Sequence, residues 1–422
     1  MKSPQVILAV GLMAAWLIAD VSQAQEWTRF RGENGAGQGK AVGLPSKVTI
    51  ADFNWIVDLP GSGHSSPVLW GNDLFLTVTA KGNKERSLLC YDAGSGKLKW
   101  KWSEAFKEHH QHRFNNFASS TPAVDAERVY LFWGSGDHIH TVAVDHAGKE
   151  VWSVKFEGSS SDHGTASSPI LVDGLLIVQC EHKLQQRSAV VALNCVSGEE
   201  VWRYDRENEM GSDKEKTAYS TSVVYQGKDG VKQVLVVNST HGFSSLNAKT
   251  GELLWQYNPG FKQRSVGSIA LSGDVMFATL GSGGGGKESV ALRLGGAGGQ
   301  AQKLYSLERK GLPYVPTPLV YNGLFFLWGD GGILTCVEAE TGNKLYQQRV
   351  ASGTFFSSPI VTDGKIYCGS REGKMVVVAA SREFKLLGIS QLKSGIHATP
   401  AVANGKMFIR TDKRLICLGG RK

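Results

Sequence analysis

The stretch Gly63–Val78, "GHSSPVLWGNDLFLTV", decides the fold, because the chain keeps rewriting it. It returns as "ASSPILVDGLLIV" (166–178) and "FSSPIVTDGKIYC" (356–368). Looser copies are "SSTPAVDAERVYLF" (119–132), "PTPLVYNGLFFLW" (316–328) and "HATPAVANGKMFI" (397–409). Six of the twelve prolines, Pro67, Pro122, Pro169, Pro318, Pro359 and Pro400, hold one position of this phrase. The apolar runs alternate and break at Asp173-Gly174, Asn322-Gly323, Asp363-Gly364 and Asn404-Gly405, pairs suited to the positive φ of two-residue hairpins. No long stretch carries the 3.6-residue apolar period of a helix. The chain reads as all-β.

Each copy opens a unit of four strands, A to D. Strand A carries Ser/Thr-Pro, a tight turn leads to B, and C ends in an acidic or amide residue. The C-to-D link then reads "DAGSGKLKW" (92–100), "DHAGKEVW" (145–152), "NCVSGEEVW" (194–202), "NAKTGELLW" (247–255) or "EAETGNKLY" (338–346). The Gly of this link supplies a bulge conformation and the aromatic opens outer strand D. A strands begin near Ser65, Ser119, Ser167, Ser220, Val266, Pro316, Ser357 and Ala398. D strands are marked by Trp55, Trp100, Trp152, Trp202, Trp255, Tyr305, Tyr346 and a degenerate Gly388. The series match in number but are offset: Trp55 precedes every A strand, while the last unit stops after C. A ring accounts for the offset. The sequence predicts one domain over 25–422, an eight-bladed β-propeller of four-stranded antiparallel blades in which Phe53–Asp58 completes the blade begun by Ile396–Leu418. Proline suits the innermost strand, whose inner edge is unpaired.

Residues 1–24 do not belong to this pattern. Lys2, the apolar run Val6–Ala19 and Ser22-Gln23-Ala24 have the form of a secretory signal peptide cleaved near Ala24. The mature chain is therefore expected outside the cytoplasm, in a periplasm or its equivalent, and no other segment has the length and hydropathy of a membrane span. The formal net charge is +8 without any long Lys/Arg run, which reads as a solvated surface and not as a nucleic-acid site. Among the six cysteines, Cys90, Cys336 and Cys417 share one repeat position with Ala143 and Ala192, which makes them small buried hydrophobes. Sequence leaves the redox state of Cys180, Cys195 and Cys368 open.

The ending "NAKTGELLW", with its variants, resembles the D-x-x-T-G-x-x-x-W ending of pyrroloquinoline-quinone (PQQ)-like β-propeller repeats. The opening "WTRFRGENGAGQG" (27–39) and the phrases "GHSSPV" and "HATPAV" resemble secreted PQQ-like repeat proteins abundant in planctomycete bacteria. The similarity spans the whole mature chain. It implies the propeller fold and two kinds of function, those of quinoprotein dehydrogenases and of the assembly factor BamB. The dehydrogenase branch implies PQQ with Ca²⁺ in the central funnel. Its adjacent-cysteine pair and its calcium-binding carboxylates have no counterparts here. BamB relatives are usually lipoproteins, and the lipobox cysteine is missing. The resemblance thus favours a non-catalytic, monomeric binding or scaffold protein presenting its loop-rich face to a protein or polymer, over a PQQ/Ca²⁺ oxidoreductase; a carbohydrate-binding propeller is a third class with nothing specific in its favour.

In a propeller the D–A and B–C connections share one face. Ten of the eleven histidines fall there, His146 being the exception. They surround a funnel for which the expected lining is His64, His163, Tyr219, Arg264, Tyr314, Phe356 and His397. Histidine is a common metal ligand, and "HHQHR" (109–113) offers His109, His110 and His112 as metal candidates. The same distribution also follows if longer polar loops simply collect histidine. "GSGGGGKE" (281–288) lacks the strand–loop–helix context of a phosphate loop and reads as a B–C hairpin linker. No Ser-His-Asp constellation or paired CxxC is present.

Overall fold

Alternating apolar residues separated by Asp-Gly and Asn-Gly turns give hairpin after hairpin. In the computed structural model, which describes residues 26–136, 138–157, 163–181, 188–206, 218–295 and 299–419, Asp173, Asn322, Asp363 and Asn404 all have positive φ. The expected signal peptide lies outside the described residues. The hairpins assemble into eight four-stranded antiparallel sheets. Blade 1 is typical, with strands Val68–Trp70, Asp73–Thr79, Glu85–Asp92 and Leu98–Ala105 in that order from the axis outward. B and C are buried on both faces, whereas D is half-exposed.

Blade 8 consists of Ala401–Ala403, Lys406–Arg410 and Arg414–Gly419, and its outer strand is Phe53–Asp58. The register runs from Phe53 opposite Leu418, through Trp55 opposite Cys417, to Asp58 opposite Arg414. The ring is closed by this swap.

The repeated aromatic is an inter-blade latch. Trp202 of blade 3 lies over Gly251 in the C–D turn of blade 4, where a Cβ would stand 2.6 Å from the indole. Its Nε1–H donates to Ala248 O at 3.1 Å. Trp55, Trp100 and Trp152 repeat the arrangement over Gly96, Gly148 and Gly198, and Tyr305 over Gly342. The glycine does more than form a bulge: its φ is positive and its missing side chain is the seat of the neighbour's ring. The shared position of Cys90, Cys336 and Cys417 faces the aromatic across strands C and D, opposite Trp100, Tyr346 and Trp55, which requires a small residue. All six cysteines are buried and free, including Cys180, Cys195 and Cys368. Gly388 is degenerate because a chain segment passes over it; a Cβ there would run into Ser46 O.

The Ser/Thr-Pro phrase sits just ahead of the paired part of each A strand and does something proline alone does not explain. Ser66 N–H donates to Thr121 Oγ1, Thr121 N–H to Ser168 Oγ, Ser168 N–H to Thr221 Oγ1, and Thr221 N–H to Ser268 Oγ. Ser268 N–H donates to Thr317 Oγ1, Thr317 N–H to Ser358 Oγ, Ser358 N–H to Thr399 Oγ1, and Thr399 N–H returns to Ser66 Oγ. These eight bonds, 2.9–3.1 Å long, form a closed circle in which each blade hands a backbone donor to the next blade's hydroxyl. They satisfy inner-edge amides that no strand partner reaches.

The opening segment "WTRFRGENGAGQG" crosses the other end of the axis. Trp27 is fully buried and pairs with Leu69, Arg29 donates to Ser222 O, and Arg31 donates to Pro318 O and Pro359 O. Gln38 pairs with Val361. Those three carbonyls each belong to the residue after a ring hydroxyl, so the segment caps the channel beneath the ring. Burial pushes both guanidiniums down to about 9, and among the described residues neither forms a salt bridge.

Candidate functional site

Above the hydroxyl circle stands a second tier, the residues two positions earlier in each phrase: His64, Ser119, Ala166, Tyr219, Val266, Val315, Phe356 and His397. Both tiers, with Phe30 from the cap, enclose a throat of about 110 Å³. The throat opens upward into a funnel of about 620 Å³. All seven residues expected along the funnel, His64, His163, Tyr219, Arg264, Tyr314, Phe356 and His397, line this one cavity. The D–A connections and A-strand starts carry them there, since those segments converge on the axis at one end of every blade.

His64 and His397, from blades 1 and 8, stack with ring centroids 4.2 Å apart and planes 4° from parallel. Burial holds His64 well below the ordinary imidazole value of 6.5, and His397, Arg410 and Arg371 add to the effect. His397 is also lowered, chiefly by burial, with Asp412 pulling the other way. Two neutral rings can stack where two cations could not. A second pair, His112 and His163, stacks at 5.0 Å across blades 2 and 3, and Asn115 Nδ2 ties the two loops by donating to His163 O at 2.5 Å.

The triplet in "HHQHR" does not converge. His109 packs edge-on against Phe117, His110 is exposed, and only His112 enters the funnel. The loop thus spreads the rings of His109, His110 and His112 over three environments. Among the described residues His64, His397 and Asp412 bring ligand atoms within 4.8 Å of one another. Their geometry is unfavourable for a cation, because parallel rings hold their lone pairs side by side and Arg371 and Arg410 lie nearby.

Sequence reading missed the cationic character of the funnel. Arg371 lies 4.1 Å above the Phe114 ring and 5.0 Å above Phe356, while Arg113 covers Phe114 at 4.6 Å. Arg264 Nε donates to Tyr314 Oη at 3.2 Å. Arg113, Arg264 and Arg371 all line the cavity, and among the described residues no Asp or Glu does. Arg371 stands in the B–C turn of blade 7 and Arg113 within the histidine-rich loop, so a count of arginines on this face would have found both. "GSGGGGKE" is the turn between Val275–Gly281 and Gly286–Arg293, with Gly283 and Gly284 at the funnel lip.

A family model for the outer membrane protein assembly factor BamB matches residues 52–282, 185–311 and 298–384. The chain belongs to the BamB family. Its PQQ-like repeats are those of the closed ring described above. Outer membrane protein assembly factor BamB of Shewanella oneidensis is 25% identical over 334 residues, which is 68% of this chain and 78% of that protein. The crystal structure of BamB from Moraxella catarrhalis superposes with a TM-score of 0.62 at 13% identity, covering 87% of this chain and 98% of that one. Quinohemoprotein alcohol dehydrogenase from Comamonas testosteroni gives a TM-score of 0.67 at 13% identity over 94% of this chain and 81% of its own. These two likenesses establish the fold. Among the described residues of this BamB-family chain no helix is long and apolar enough to cross a membrane.

The donor set discriminates between the two halves of the quinoprotein cofactor. Three guanidiniums and aromatic faces suit a planar polycarboxylate, but Ca²⁺ requires carboxylate and carbonyl oxygens. The described funnel wall, without Asp or Glu, does not fit Ca²⁺.

Proposed function

We propose that this BamB-family propeller is a non-catalytic, extracytoplasmic binding and scaffold protein, monomeric, that engages a protein or polymer partner through the funnel face. The name of its relatives, an outer membrane protein assembly factor, supports an assembly role outside the cytoplasm. The observation that carries the reading is the funnel lining: arginines, aromatics and histidines face the cavity, and among the described residues no cysteine lines it to serve as a nucleophile. Such a wall suits holding an anionic group.

The test is site-specific photo-crosslinking in the native host. A photoreactive residue at Tyr219 should capture a discrete partner, and one at exposed Leu253 on an outer strand should not. Adducts indistinguishable between the two positions refute the reading. The quinoprotein alternative rests on the three arginines. It requires the purified protein to reduce a dye acceptor in the presence of PQQ and Ca²⁺, and we expect no such reduction.

A further inference from the structure

We propose that the throat is an anion-binding site that takes the carboxylate of a ligand whose aromatic or apolar body lies in the funnel. The inference rests on the binding role proposed above and names the chemistry recognised.

Each of the eight circle hydroxyls already accepts a backbone N–H from the preceding blade. A hydroxyl has one proton to give and two lone pairs. With a lone pair committed, the proton remains for the channel. Among the described residues no protein acceptor takes the proton of Ser66, Thr121, Ser168, Thr221, Ser268, Thr317, Ser358 or Thr399. The throat is therefore ringed by convergent O–H donors in a narrow chamber, the arrangement that stabilises an oxyanion.

Arginines predominate in the funnel and the cap, with Asp412, 3.6 Å from His397, as a counter-charge. Arg371, Arg264 and Arg113 stand above, in the funnel. Arg29 and Arg31 lie below, hydrogen-bonded only to carbonyls. Among the described residues neither cavity has an Asp or Glu in its wall. Cations at both ends of a low-dielectric passage raise its potential. Volume limits what fits: 110 Å³ holds a carboxylate or a few waters and not a cofactor ring system. The 620 Å³ funnel above it has room for a ligand body against Phe114, Tyr219 and Phe356.

Two sources present this chemistry, a small aromatic acid and the C-terminal carboxylate of a polypeptide. Calorimetric titration of the purified protein separates them with four probes: 3-phenylpropanoate, its amide, acetyl-Ala-Ala-Phe with a free carboxylate, and the same tripeptide amidated. At least one free acid should bind saturably, with its amide weaker by about tenfold or more. Saturation by the tripeptide alone identifies a polypeptide terminus; saturation by phenylpropanoate identifies a small acid. Arg371→Gln should weaken the acid about tenfold at an unchanged melting temperature, and added salt should weaken it further. Thr221→Val, which keeps the volume and removes one O–H, should weaken it as well. Equal binding of acid and amide, no saturation by either acid at millimolar concentration, or full binding by Arg371→Gln each overturn the proposal. A partner captured at Tyr219 alongside any of these results leaves the scaffold role standing and removes only the carboxylate.

Discussion

The latch between blades 3 and 4 makes a quantitative prediction. Trp202 is 7% exposed, lies against Gly251 and donates to Ala248 O. Truncation to Ala removes its buried area and leaves a void, a loss of about 3–5 kcal/mol. Gly251→Ala acts from the other side. Its φ of +74° costs an L-residue about 1–2 kcal/mol. The new methyl also enters the indole at 2.6 Å, and displacing a packed ring costs about 1–3 kcal/mol more. Once Trp202 is absent, only the backbone cost of Gly251→Ala survives. The double variant should therefore be more stable than the sum of the singles by about 1–3 kcal/mol. Urea unfolding of the four proteins, compared at a common slope, measures this. Additivity within about 0.5 kcal/mol refutes the claim that the glycine is reserved for the ring of the preceding blade.

The remaining predictions use the same reasoning. Thr221→Val leaves the buried Ser168 N–H without an acceptor and should cost about 1–3 kcal/mol in urea unfolding, whereas Thr221→Ser should be nearly neutral. The native protein should show no thiol reactive to an aromatic disulfide reagent at pH 8 and six after guanidinium, and reductant should not shift its melting temperature, because all six thiols are free, buried and pushed up, Cys90 to about 12 and Cys417 to about 11. Stability should fall as the pH drops below 6.5, since the unfolded chain takes up protons that buried His64 and His397 refuse in the native state. Asp330, raised by burial to about 6, has the opposite sign and gains stability as pH falls through that value. The melting temperature of the His64→Asn, His397→Asn double variant should therefore decline less between pH 7 and 5 than that of the natural chain; parallel declines exclude the two histidines as the source.

The blade count and the swap were legible because both depend on local chemistry repeated at fixed spacing. Turn pairs with positive φ, prolines at an unpaired edge and an aromatic eight residues after the C-strand terminus each have a local cause. The seven funnel residues were placeable for a related reason, because repeat position alone determines which end of a blade a residue occupies. What stayed hidden depends on partners in other blades. The hydroxyl of Thr221 is a hydrogen-bond acceptor only because blade 3 lies beside it, and Gly251 looks like an ordinary bulge glycine until Trp202 is brought over it. Nothing near Arg31 in sequence indicates that its acceptors are Pro318 and Pro359. The spreading of His109, His110 and His112 had a similar origin: adjacency along a loop does not hold three rings to one centre.

The axial cap and the closing strand together constrain how the molecule is made. Residues 26–58 are made early, yet Gln38 pairs with Val361 and Val57 with Leu415, partners synthesised more than three hundred positions later. The earliest part of the chain must wait, unpaired, until the final sheet emerges. Contacts so distant along the chain make for slow folding and a long-lived exposed edge. The vulnerable interval of such a protein ends only when Phe53–Asp58 pairs with Arg414–Gly419.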